Sequence, residues 1–95
     1  MKEFDAQIAA LRERFLVRMA AERVVIAAEL DRDGWGAVRD ICHGLSGLAA
    51  VFGLAPIGDA ARAVEDAVDD SAPPETTRAL AAILLALMKE ADQGR

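Results

Sequence analysis

Tyrosine is absent from this 95-residue chain, and cysteine, tryptophan and histidine occur once each. A single cysteine, Cys42, can close no internal disulfide and supply no cysteine-based zinc site, which fits a reducing cytoplasm. Basic charge is scarce as well: 11 Lys and Arg stand against 16 Asp and Glu, for a net charge of −5. Nucleic acid and anionic membrane surfaces both capture proteins through basic patches, so neither is an expected partner. The longest apolar run, broken by no polar residue, glycine or proline, is Ala79 to Met88. About 20 apolar residues are needed to span a bilayer, so this run reads as a buried helix, or else as one with an extra apolar face for self-association. The N-terminal Met1-Lys2-Glu3-Phe4-Asp5 lacks the apolar core of a signal peptide. β-branched residues never build an alternating run, and without strands there is no strand-linked glycine loop to cradle phosphate.

What is present is 54% hydrophobic and 28% charged, the composition of a globular chain, and one domain covering residues 1–95 follows. Apolar residues recur at helical spacing, and the expected fold is all-α: an antiparallel up-and-down four-helix bundle with a short N-terminal helical extension. The first helical region begins near Asp5, read as its N-cap, with Phe4, Ile8, Leu11 and Phe15 on one stripe. The stripe shifts phase between Arg18 and Arg23 and resumes with Val25, Ile26 and Leu30, which predicts two helices or one bent helix. Asp31-Arg32-Asp33-Gly34 is a turn in which Asp33 can cap the next helix. That helix is predicted from about Gly34 to Phe52, with Gly53 just past its end. Pro56 suits the first turn of a third helix striped by Ile57, Ala61, Val64 and Val68, with Arg62, Glu65, Asp66 and Asp69 on its wet face. Pro73 and Pro74 separate it from a fourth helix with Leu80, Ile83, Leu84, Leu87 and Ala91 facing the core.

The second helix carries the one histidine. Its apolar stripe reads Val38, Ile41, Leu45, Leu48 and Phe52, which places His43 about 200° round from Ile41, facing solvent or a partner. Gly44 and Gly47 lie beside it in mid-helix, where each costs about 1 kcal/mol relative to alanine. Helix-weakening residues next to an exposed reactive group are a mark of function.

Conventional enzyme chemistry finds no support. Cys42 and His43 are neighbours in sequence, so on a helix they point about 100° apart and form no nucleophile–base pair. Cys42 reads as a small residue at the edge of the core. A metal site needs converging ligands, and Asp40 is the only carboxylate on the histidine's own face. What is left is the imidazole as a nucleophile toward phosphorus: histidine as a residue type titrates near pH 6.5, so much of it is neutral in the cell. Phosphoryl transfer asks chiefly for in-line positioning and charge neutralisation, and Gly47, one turn on, keeps the approach to His43 clear.

The stretch from His43 to Leu54, HGLSGLAAVFGL, resembles the signature of histidine-containing phosphotransfer (HPt) domains, H-x-L-K-G-x-A followed by an aromatic or aliphatic residue and glycine. Asp33-Gly34-Trp35 before it and Ala60 to Glu65 after it are similar to the family pattern too. The resemblance implies a four-helix bundle in a two-component phosphorelay. It would take a phosphoryl group on His43 from a receiver-domain aspartyl phosphate and pass it to another response regulator. It implies response-regulator receiver domains or a hybrid histidine kinase as partners. It also implies a phosphoprotein that carries phosphohistidine and is neither kinase nor phosphatase by itself; the expected setting is the cytoplasm, with a monomer favoured over a homodimer. No cofactor is implied, Mg²⁺ being the receiver's. On this reading Arg39, Asp40, Ser46, Gly47, Ala50 and Arg62 form the phosphoryl and partner surface. One position departs from the pattern: the family's lysine three residues after the histidine is Ser46 here. Ser46 can offer a hydrogen bond but no charge, so Arg39, one turn before His43, is the expected substitute, with Arg62 second. The alternative is a helical adaptor on the same scaffold that is never phosphorylated. A histidine-kinase dimerisation domain fits less well, because an acidic residue usually follows the histidine there, and Gly44 does so here.

Overall fold

A computed structural model describes residues 1–94 as four α-helices: α1 (Lys2–Asp31), α2 (Trp35–Leu48), α3 (Ala55–Asp69) and α4 (Pro74–Gln93). A 3₁₀ turn, Ala49–Phe52, finishes α2, and Gly53 follows in the left-handed region at φ 78°, as a helix-ending glycine should. Each helix packs on the next in sequence, and α1 also packs on α4, closing the ring. Cross-helix pairs set the direction. Arg39 meets Asp69 while His43 meets Glu65, so α2 and α3 are antiparallel. Arg78, near the start of α4, bonds the Leu30 carbonyl at the end of α1. The bundle is up-and-down, as expected.

The core runs along the bundle axis through Leu16, Met19 and Ile26 of α1, Val38, Cys42 and Leu45 of α2, Ile57, Ala61 and Val64 of α3, and Ala81, Leu84 and Met88 of α4. Each large aliphatic side chain buried there contributes about 1.5–3 kcal/mol. Phe15 stacks on Phe52 at 5.2 Å between ring centres, tying α1 to the 3₁₀ turn. At the opposite end Arg78 pairs with Asp33 and lies over the Trp35 ring at 4.8 Å.

Several local expectations are corrected. α1 is one continuous 30-residue helix that starts at Lys2, so Asp5 lies inside its first turn and caps nothing. Asp33 does not cap α2: its backbone is left-handed at φ 57° and its carboxylate is committed to Arg78. On α2 the buried stripe is Val38, Cys42, Leu45 and Ala49, while Ile41 and Phe52 are half-buried and Leu48 is exposed. Cys42 is therefore fully inside, not at the edge. At the end of α2 the two helices pack closely: Gly58 of α3 is buried where an added Cβ would sit 3.5 Å from the Ala49 Cβ and 3.6 Å from the Ser46 carbonyl, so a small residue, Ala49, is the one that faces it. On α4 Ala81 and Met88 are inside, and Ile83 is exposed.

Candidate functional site

His43 stands on α2 one position after the buried Cys42, about 130° from the centre of the true core stripe. The ring is thus on the flank facing α3, not diametrically opposite the core. Its side chain is 67% exposed, and Nδ1 lies 2.6 Å from Oε2 of Glu65. A carboxylate can only accept, so Nδ1–H donates and the Nε2 lone pair is the one presented outward.

Glu65 is the residue that the sequence misplaced. Counted there with the wet face of α3, it is only 8% exposed. Its Oε2 accepts from His43 and forms an ion pair with Arg39 Nη2 at 3.2 Å, and no buried side-chain polar atom among the described residues lacks a partner. The signal that could have found it is spacing: Glu65 stands four residues after Ala61, where an apolar stripe would continue.

Arg39 also donates from Nε to Asp69 Oδ1 at 3.0 Å and lies 3.6 Å from Asp40. The hydrogen bond to Asp69, reinforced by the charges of Asp69, Glu65 and Asp40, raises its pKa above the ordinary value. Three carboxylates thus surround Arg39, and it reaches the histidine through Glu65. Arg62 is placed differently. The pairs 39–69 and 43–65 put Arg62, one turn before Glu65, level with Ser46 across the α2–α3 seam. It is exposed, and no ion pair engages it among the described residues. Ser46 Oγ donates 2.9 Å to the His43 carbonyl, so its proton is already spent within the helix.

Asp40, His43, Gly47 and Ala50 follow one another at three- and four-residue spacing along the exposed face of α2 and its 3₁₀ turn. A Cβ at Gly47 would meet nothing within 4 Å. Leu48 and Val51, both exposed, add apolar surface next to these small residues. On the far flank the Arg18 guanidinium, held by Glu22 at 2.5 Å, lies 3.9 Å from where a Gly44 Cβ would stand. Cys42 takes no part. Burial, with the negative charges of Glu65 and Glu22, pushes its thiol up to about 12.

No helix among the described residues is long and apolar enough to cross a membrane. No curated protein and no solved structure matches the chain. The Hpt domain family matches residues 10–94, nearly the whole length, and carries with it histidine phosphotransfer in phosphorelays in general. The chain belongs to the Hpt domain family.

Proposed function

We propose that this chain is a cytoplasmic phosphorelay intermediate in a two-component pathway, with His43 as phosphoacceptor. The Nε2 lone pair attacks the phosphorus of a receiver-domain aspartyl phosphate. The N–P bond forms as the P–O bond to aspartate breaks, and the electron pair leaves with the carboxylate. Nδ1 keeps its proton on Glu65, whose charge stabilises the cationic ring that results. The second step is the reverse attack, by the aspartate of another receiver. Any Mg²⁺ is held by the receiver, and the chain brings no cofactor of its own. Gly47 and Ala50 leave room for the partner's loops, while Leu48 and Val51 give that partner apolar surface. Arg62 supplies the positive charge that Ser46 lacks, and Arg39 fixes Glu65.

The observation that carries this reading is the geometry at His43: Nδ1 held at 2.6 Å by a buried carboxylate, the rest of the ring exposed beside an unobstructed glycine. The test is to mix the chain with receiver domains charged by a kinase or a small phosphodonor. Acid-labile, base-stable phosphate is expected on the wild type and is lost in His43→Gln. Absence of label with every receiver would favour the adaptor, and label persisting in His43→Gln would displace the site.

A further inference from the structure

α1 is far longer than its neighbours, and the bundle does not cover its beginning. The 3₁₀ turn meets α1 at Arg12, whose Nε donates to the Phe52 carbonyl at 3.2 Å, and at Phe15. The register of α4 on α1, with Arg78 on Leu30 and with Leu85 and Ala86 across a groove from Val24 and Ala27, brings the end of α4 level with Phe15 and Leu16. Residues 1–14 are exposed throughout, and the molecule measures 48 Å along one axis against 21 and 18 Å. An arm of about three turns, Lys2 to Leu11, therefore projects past every other element.

The arm is apolar along one side. Phe4, Ile8, Leu11 and Phe15 recur at four-, three- and four-residue intervals, the spacing of a coiled-coil seam. Phe15 is buried, but Phe4, Ile8 and Leu11 remain 59%, 38% and 48% exposed. The flanks of this seam are polar, and one of them pairs opposite charges. Asp5 and Arg12 lie seven residues apart on one flank, Gln7 and Arg14 on the other. In an antiparallel pair of identical helices each flank faces its own copy in reverse. Asp5 then opposes Arg12 of the second copy, twice by symmetry, and Gln7 opposes Arg14, twice. A parallel pair does not bring Asp5 and Arg12 together. The family match begins at residue 10, so most of the arm lies outside what the family shares.

We propose that the arm is a self-association element: two copies of this chain pair their N-terminal arms antiparallel, seam to seam, with Asp5 facing Arg12. This departs from the monomer that the sequence favours, and it places the contact away from the apolar run of α4. It does not rest on the phosphotransfer reading.

Sedimentation velocity over a wide concentration range tests it. The wild type is expected to pass from one to two chains per particle as concentration rises. Ile8→Glu with Leu11→Glu is expected to stay at one chain with the circular dichroism of a folded bundle, since both side chains are exposed. Asp5→Arg alone and Arg12→Glu alone should each weaken pairing by roughly three- to tenfold, the range of a few exposed ion pairs. Mixed together, those two variants should recover wild-type pairing, because their arms are then complementary. A wild type that stays monomeric throughout would overturn the proposal. So would an Ile8→Glu/Leu11→Glu double variant that still dimerises, or charge variants that fail to rescue one another.

Discussion

At the scale of single residues, the site depends on one oxygen. Oε2 of Glu65 holds both the histidine ring and the arginine behind it, so the carboxylate sets which ring nitrogen is free. In Glu65→Gln the amide can donate to Nδ1 as readily as accept, which favours the tautomer with its proton on Nε2. Nitrogen NMR of the ring is expected to show the wild type protonated at Nδ1 and the variant shifted toward Nε2. Phosphoryl uptake should fall about ten- to a hundredfold, the value of one charge-assisted hydrogen bond. Unchanged tautomer and rate would remove Glu65 from the mechanism. The charge that Ser46 does not carry is a separate matter. Arg62→Ala is expected to slow transfer roughly two- to fivefold, as fits an exposed charge. Ser46→Lys in that background should restore the rate, since the two positions are level across the seam. If Ser46→Lys fails to rescue, Arg62 does not act as the missing cation.

At the scale of elements, α2 is where sequence and structure part company, and the cause is physical. Val38, Ile41, Leu45, Leu48 and Phe52 fit helical spacing as well as Val38, Cys42, Leu45 and Ala49 do, and hydrophobicity alone prefers the larger set. The structure buries the smaller one, and at Ala49 it does so against Gly58 of α3, where even an added Cβ would be in van der Waals contact. That contact joins positions nine apart on different elements, beyond any local pattern. Glu65 escaped notice for the same reason: its partners lie on another helix. The helix order, the stop at Gly53, the start near Pro56 and an outward His43 were all legible, because caps, prolines and periodicity are local. Gly47 tests what the exposed face of α2 is for. An added side chain meets nothing within 4 Å, so Gly47→Ala should stabilise α2 by up to about 1 kcal/mol and raise Tm by roughly 4–8 °C. Gly47→Leu should fold equally well. Both should slow phosphoryl transfer, the leucine variant more. Faster or unchanged transfer in a stabilised Gly47→Leu would mean that no partner approaches there.

At the scale of the whole molecule, the bundle keeps its one thiol neutral. Cys42 is fully buried where α1, α2 and α3 meet, with the carboxylates of Glu22 and Glu65 acting on it, and its pKa is pushed up to about 12 from an ordinary 9.0. The sign of the linkage follows from those two values. Below pH 9 the thiol is protonated both folded and unfolded, and stability does not depend on it. Between pH 9 and about 12 the unfolded chain releases this proton and the folded chain keeps it, so stability falls as pH rises. The slope from this group approaches about 1.4 kcal/mol per pH unit. Cys42→Ala leaves a small cavity and should be less stable at neutral pH, yet it lacks this slope. Thermal melts from pH 8 to 11 are therefore expected to bring the two proteins together, the wild type losing Tm faster. Parallel curves would mean that the thiol ionises in place or that the core opens to water around it. A maleimide reagent at pH 8 separates those cases: the native wild type should resist it, and the urea-unfolded chain should react at once.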